Sequence, residues 1–176
     1  MDFNYSEEQL LIQKTAREFA EEHLAPGVID RDEKMEFPSK QIKMLGEMGF
    51  MGMIVSEGWG GGGLDTLSYS LALEEIAKVD ASAAVPVSVN NSLVCALLYK
   101  YGTDDLKDKY LRTLATGEWL GAFSLSEPQA GSDASNLLTY AEKSGDKYII
   151  NGTKNWVSNG INSNIVFVFT VTKKGL

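Results

Sequence analysis

Two stretches of this chain hold residue types suited to binding chemistry. The first is Phe123-Ser124-Leu125-Ser126-Glu127-Pro128-Gln129-Ala130-Gly131-Ser132-Asp133-Ala134. It reads as a strand that runs into Glu-Pro and then into a loop of small residues. A strand end presents backbone N–H and C=O groups at a fixed height, with side chains alternating across it. That suits edge-on recognition of a flat heterocycle. The Ala-Gly-Ser-Asp turn lets a ligand's polar tail approach the backbone closely. The second stretch, Asn151-Gly152-Thr153-Lys154-Asn155-Trp156-Val157-Ser158-Asn159-Gly160, sets an indole among polar, turn-forming residues. Such an indole needs a flat partner to cover it. Ser158, two residues on, points the same way along an extended chain. Each stretch alone has a plainer account: a turn between strands for the first, a Trp packed on a sheet for the second.

A third motif is tempting. Gly58-Trp59-Gly60-Gly61-Gly62-Gly63 fits the dinucleotide pattern G-x-G-x-x-G, follows a strand-like run Phe50 to Val55 and precedes a helix. Ala83 to Val89 would be the second parallel strand of such a Rossmann unit, with Asp80 as its ribose carboxylate. Pro86 argues against it, because its missing N–H breaks a central ladder. The later strands look antiparallel and hairpin-linked. A mobile surface turn is the favoured reading, and a P-loop is weaker still because no Gly-Lys-Ser/Thr follows. His23 is the only histidine and has no cluster around it, so no metal site is expected. Cys95 lies in an apolar run and reads as a buried, inert thiol.

The elements that must position these residues change period half-way. Ser6-Glu7-Glu8-Gln9 has capping-box spacing, and a helix is expected from about Glu7 to Leu24, stopped by Pro26. Gly27 to Phe37 reads as a charged linker. Further helices are expected from Ser39 to Gly49, from Thr66 to Val79, over Ala83 to Tyr101, and from Thr103 to Gly117. Strands are expected at Trp119 to Ser126, Leu138 to Ser144, Lys147 to Lys154 and Ile165 to Thr172, with Gly145-Asp146 as a hairpin turn. Helices followed by strands make the fold α+β: a helical domain over residues 1–118, then an incomplete antiparallel β-domain over residues 119–176.

Composition sets the outer bounds. The 176 residues are 44% hydrophobic, enough for a core, and carry a net charge of −8. An acidic surface repels phosphate backbones, so nucleic acid is not an expected partner. A single cysteine allows no internal disulfide. No apolar run reaches the ~18 residues of a membrane span, so no membrane is expected. No targeting segment is visible at the start of the chain, so a cytoplasmic location is expected, or the mitochondrial matrix if a transit peptide was removed.

Together the two stretches resemble the acyl-CoA dehydrogenases, FAD enzymes that desaturate acyl-CoA thioesters. The resemblance begins at Phe3-Asn4-Tyr5-Ser6-Glu7-Glu8-Gln9 and includes Glu57-Gly58-Trp59-Gly60-Gly61, close to the family's Glu-Glu-Tyr-Gly-Gly. It is most specific at Leu125 to Asp133 and at Asn151 to Gly160. It implies that Phe123, Leu125 and Ser126 hold the flavin's pyrimidine edge through backbone amides and the Ser126 hydroxyl. It also implies that Trp156 packs beside the isoalloxazine with Val157 next to it, that Ser158 hydrogen-bonds near N5 and O4, and that Ser132 contacts the CoA moiety. The implied reaction is α,β-dehydrogenation of an acyl-CoA. The implied electron acceptor is an electron-transferring flavoprotein, and the full-length family member is implied to be a homotetramer.

The same resemblance places the family's catalytic glutamate in a C-terminal domain beyond these residues, so no catalytic residue is assigned and Glu127 is not its substitute. These 176 residues are then expected to be inactive alone. An enoyl-CoA reductase or an acyl-CoA oxidase on the same fold, and a non-catalytic association module, stand as alternatives.

Overall fold

Ser6 caps the first helix as its spacing predicts: its hydroxyl accepts from the Gln9 N–H at 3.1 Å, and the Gln9 side chain accepts from the Ser6 N–H at 3.0 Å. The computed structural model that shows this describes residues 4–172. Phe3, at the head of the opening motif, lies outside them. Helix α1, Glu7–Phe19, runs on through a π-helical turn, Ala20–Leu24, and buries Ala16, Phe19, Ala20 and Leu24.

The segment expected to be a linker holds a short helix, α2, Val28–Glu33. Its charges, which suggested a solvated connection, anchor it instead. Arg31 donates to the carbonyls of Leu24 and Pro26, at 2.6 and 2.9 Å, and to the buried Asp80 carboxylate at 2.9 Å. Helix α3, Ser39–Glu47, turns Ile42 and Leu45 inward, and α4, Thr66–Val79, is capped by the Asp65 carboxylate.

Asp80 then caps α5, Ala81–Ser88, which continues through a π-helical stretch, Val89–Cys95, into α6, Ala96–Tyr101. This continuous run corrects one expectation, because its length and apolar composition do match those of a membrane span. More than half of it is buried inside the fold, and its midpoint carries the fully buried Asn90 and Asn91. Both amides bond to the chain's own backbone, which makes this the central helix of the helical domain. Helix α7, Asp104–Leu106, capped by Thr103, a π-helical turn Lys107–Leu111 and α8, Arg112–Ala115, close that domain.

Phe50 to Val55 is not a strand, and Ala83 to Val89 is helical, so no Rossmann unit exists here. The glycine run is not a loose surface turn either. Gly62, Gly63 and Leu64 donate to the carbonyls of Gly52, Val55 and Met53 at 3.0, 2.7 and 2.8 Å. A Cβ on Gly61 would overlap the Val55 carbonyl. The glycines let the chain lie flat against Gly52, Met53 and Val55, of which Met53 and Val55 are core residues.

Four strands follow among the described residues. β1, Gly121–Ser124, pairs in parallel with β4, Ile165–Val168, and β2, Tyr140–Ser144, pairs antiparallel with β3, Lys147–Asn151. The hairpin turns at Gly145, φ +64°, as expected. The parallel pair departs from the all-antiparallel expectation. Its register sets Phe123 beside Phe167, and both side chains pack onto the core cluster of Val94, Leu98, Leu111 and Leu114. The two strands thus present one shared apolar face to the central helix. Each strand is shorter than its expected run.

A second polar knot braces the helices. The buried Glu75 carboxylate accepts from Arg17 through two nitrogens, both at 3.0 Å, from Gln13 at 3.0 Å and from Lys78 at 3.0 Å. Hydrogen bonding from Arg17, opposed by burial and aided by Lys78, holds the carboxyl at about 2, below its ordinary 4.5. A depressed folded pKa contributes stability in full above the ordinary value, and that contribution is lost as the pH falls through the folded one. The Tm deficit of Glu75→Gln relative to the parent is therefore expected to be constant above pH 4.5 and to shrink between 4.5 and about 2. A deficit unchanged across that interval would show that the carboxylate's charge is not what the knot uses.

Candidate functional site

The two chemistry-bearing stretches meet at the C-terminal end of β1. The Asn155 N–H donates to the Ser126 carbonyl at 2.8 Å, and Lys154 Nζ donates to the Leu125 carbonyl at 2.8 Å. Between them and the central helix lies a cleft of about 150 Å³ lined by Val89, Leu93, Phe123, Leu125, Ser126, Asn155, Trp156 and Ser158. Val89 and Leu93 form its apolar wall, and the polar groups converge from the strand end opposite. The N–H groups of Leu125 and Ser126, and the hydroxyls of Ser126 and Ser158, find no partner among the described residues. A strand end with two free amide donors and two free hydroxyls is equipped to bind the polar edge of a ring.

Trp156 stands at φ +58° with 89% of its surface exposed. Left-handed backbone is costly for a bulky residue, and an exposed indole recovers nothing from a core. Both costs point to a ligand that the indole covers. The chain here is not extended, as the sequence suggested: Trp156 and Asn159, φ +65°, turn it. Ser158 reaches the same cleft through that turn.

Glu127 closes the back of the strand end. Its carboxylate is buried and accepts from the N–H groups of Leu138 at 2.7 Å and Thr139 at 3.0 Å, from Gln129 at 2.6 Å and from Lys154 at 2.7 Å. Burial alone would push this carboxyl up, but the Lys154, Leu138 and Thr139 hydrogen bonds outweigh it and hold the group well below the usual carboxylate range. Its acceptor sites are engaged, so it is a structural anchor and not a base. No residue lining the cleft is acidic.

Comparison with known proteins decides the family. Residues 6–118 match the acyl-CoA dehydrogenase N-terminal domain, and residues 122–176 match the acyl-CoA dehydrogenase middle domain. The chain belongs to the acyl-CoA dehydrogenase family. It is 41% identical over 174 residues to the short-chain specific acyl-CoA dehydrogenase of Clostridium acetobutylicum, covering 99% of this chain and 46% of that protein. Butyryl-CoA dehydrogenase from Megasphaera elsdenii superposes with a TM-score of 0.93 at 42% identity, over 99% of this chain and 46% of that one. A chain from a structure described as the electron transferring flavoprotein of Acidaminococcus fermentans superposes with a TM-score of 0.96 at 46% identity, again over 99% of this chain and 46% of that one. The chain thus spans about half the length of the relatives it matches.

Of the residues singled out by resemblance to acyl-CoA dehydrogenases, Phe123, Leu125, Ser126, Trp156 and Ser158 come together in one cleft. Val157 is half-buried beside it and Ser132 is exposed on the small-residue loop, and neither lines it. Sequence reasoning missed the Glu127–Lys154 pair and the buried amides of Asn90, Asn91 and Asn159. The signal for the first was an acid at a strand end and a lysine in a polar turn. The signal for Asn90 and Asn91 was an amide pair inside an apolar helical run. His23 lies at the end of the first helical run, and Cys95 is buried, which pushes its thiol up to about 12 and leaves it inert.

Proposed function

We propose that this chain binds FAD in the cleft between β1 and the central helix and forms the flavin-holding part of an enzyme that dehydrogenates acyl-CoA thioesters at the α,β position. The observation that carries this is the exposed, left-handed Trp156 facing the free amides of Leu125 and Ser126 across one cleft. The donor set fits the group: Leu125 and Ser126 N–H and the Ser126 hydroxyl bind the acceptor-rich edge of the isoalloxazine. Trp156 would cover its ring, the Ser158 hydroxyl would hydrogen-bond near N5 and O4, and Val89 and Leu93 would exclude water. When bound, FAD supplies the two-electron acceptor for the hydride leaving the β-carbon. The α-proton needs a base, and none of the cleft residues is one, so the base comes from outside them.

A relative's structure carries FADH2, that of glutaryl-CoA dehydrogenase from Mycobacterium smegmatis, at 34% identity and a TM-score of 0.92, which supports the cofactor assignment. The likeness to the Acidaminococcus fermentans chain supports an electron-transferring flavoprotein as the acceptor. The whole enzyme is read as a homotetramer whose substrate is an acyl-CoA, with Ser132 on the CoA side.

The test is a titration of the 176-residue chain with FAD, followed by tryptophan quenching and by the flavin's visible bands. Saturable quenching that Trp156→Phe alters is expected, with no acceptor-dye reduction on adding butyryl-CoA. A chain that binds NAD and not FAD would overturn the cofactor reading. Dye reduction above a flavin-only control would overturn the placement of the base.

A further inference from the structure

The three walls of the cleft are tied together at one residue. Gly121, the first residue of β1, donates its N–H to the Asn90 side-chain oxygen at 3.0 Å, and its carbonyl accepts from the Asn159 amide at 3.0 Å. Asn90 is fully buried and Asn159 nearly so. Asn90 sits between Val89 and Leu93, the helix-side lining of the cleft. Gly121 opens the strand that supplies Phe123, Leu125 and Ser126, and Asn159 directly follows Ser158. A Cβ on Gly121 would overlap Val94, so the strand is pressed onto the helix at this point.

The Asn90 amide also donates to the carbonyls of Met51 at 2.8 Å and Leu114 at 2.9 Å, which fixes it in the helical domain. Its place is a π-helical stretch, a distortion that redirects side chains and is frequent at functional sites. The neighbouring Asn91 is equally buried, but its partners Phe50, Met53 and Val87 all belong to the helical domain.

We propose that Asn90 is a positioning residue for the flavin cleft: through Gly121 it sets the spacing between the helix wall, the strand end and the Trp156 turn. This rests on the flavin reading above, and Asn91 supplies the contrast that separates it from a merely structural role. Asn90 gives up one hydrogen bond to β1 that Asn91 does not have, while both contribute to the same core.

The experiment compares the parent chain with Asn90→Ser and Asn91→Ser. For Asn90→Ser, FAD affinity is expected to fall roughly tenfold, and amide exchange should rise in peptides spanning 119–126 and 155–160. For Asn91→Ser, affinity should stay within about threefold, with faster exchange confined to 50–55 and 87–91. Equal effects of the two variants on affinity and on the 119–126 peptides would overturn the proposal. If the parent does not bind FAD, the flavin reading falls, and the exchange pattern still decides whether Asn90 holds the strand. Should Asn90→Ser not fold, exchange in the parent decides. The Gly121 amide must then be protected to the level of the Met53 amide that Asn91 holds, and protection no better than that of Leu125 would sink the idea.

Discussion

Replacing Trp156 by alanine is expected to weaken FAD binding by one to two powers of ten while leaving the Tm of the ligand-free chain unchanged within about two degrees. The two readouts separate because the indole is 89% exposed and contacts no core. Stacking of an aromatic side chain on a heterocycle contributes about 1–3 kcal/mol, which is the stated range of affinity. Truncating a core aromatic would instead cost about 3–5 kcal/mol of stability. A small Tm increase is within expectation, because alanine relieves part of the strain at φ +58°. Differential scanning calorimetry and a fluorescence titration check the pair of claims. A melting loss as large as for Phe19→Ala would make Trp156 a packing residue, and the flavin cleft would lose its cover.

The helical half was legible because its signals are local. Ser6 and Gln9 three residues apart, Thr103 before Leu106, and the stop at Gly117 each specify a cap or an end within one turn. The α2 helix was not legible, since its anchor is Arg31 reaching Asp80 across 49 positions. Composition sees charge there and not its partner. Strand direction failed for a related reason. Phe123 pairs with Phe167 across 44 positions, and no periodicity within β1 or β4 encodes that partner or its direction.

The site divides the same way. Phe123, Leu125, Ser126, Trp156 and Ser158 stand in motifs whose unusual residue types were visible, and they converge. The residues that bring them together are not unusual in type. Asn90 is one amide in an apolar run, and Lys154 is one lysine in a turn. What marks them is burial, and burial is a property of the folded chain. The left-handed φ of Trp156 is also invisible in a sequence that reads as extended there, yet it is what aims the indole at the cleft.

Lys154→Met is expected to have the largest effect on the folded chain. Its ammonium bonds the Glu127 carboxylate at 2.7 Å and the Leu125 carbonyl at 2.8 Å, and both side chains of the ion pair are nearly inaccessible. Removing one partner of a buried pair strands the other, so a Tm loss of roughly ten degrees is expected at pH 7. The sign of the pH dependence follows from Glu127. In the parent its depressed carboxyl contributes stability in full above its ordinary 4.5, and that contribution is lost as the pH falls through the folded value. Without Lys154 one of the bonds that hold the carboxyl down is gone while those from Leu138 and Thr139 remain, so the variant loses less stability on protonation than the parent does. The gap between the two is therefore widest near neutrality and narrows below about pH 5. Adding Glu127→Gln to Lys154→Met replaces the stranded charge with a neutral amide whose one oxygen keeps either the Leu138 or the Thr139 bond, and part of the Tm should return. FAD affinity should not return with it, because the Leu125 carbonyl has lost the bond that fixes the strand end. A double variant that recovers both would show that the pair serves stability alone. A single variant that melts with the parent would show that the pair does not brace the strand end.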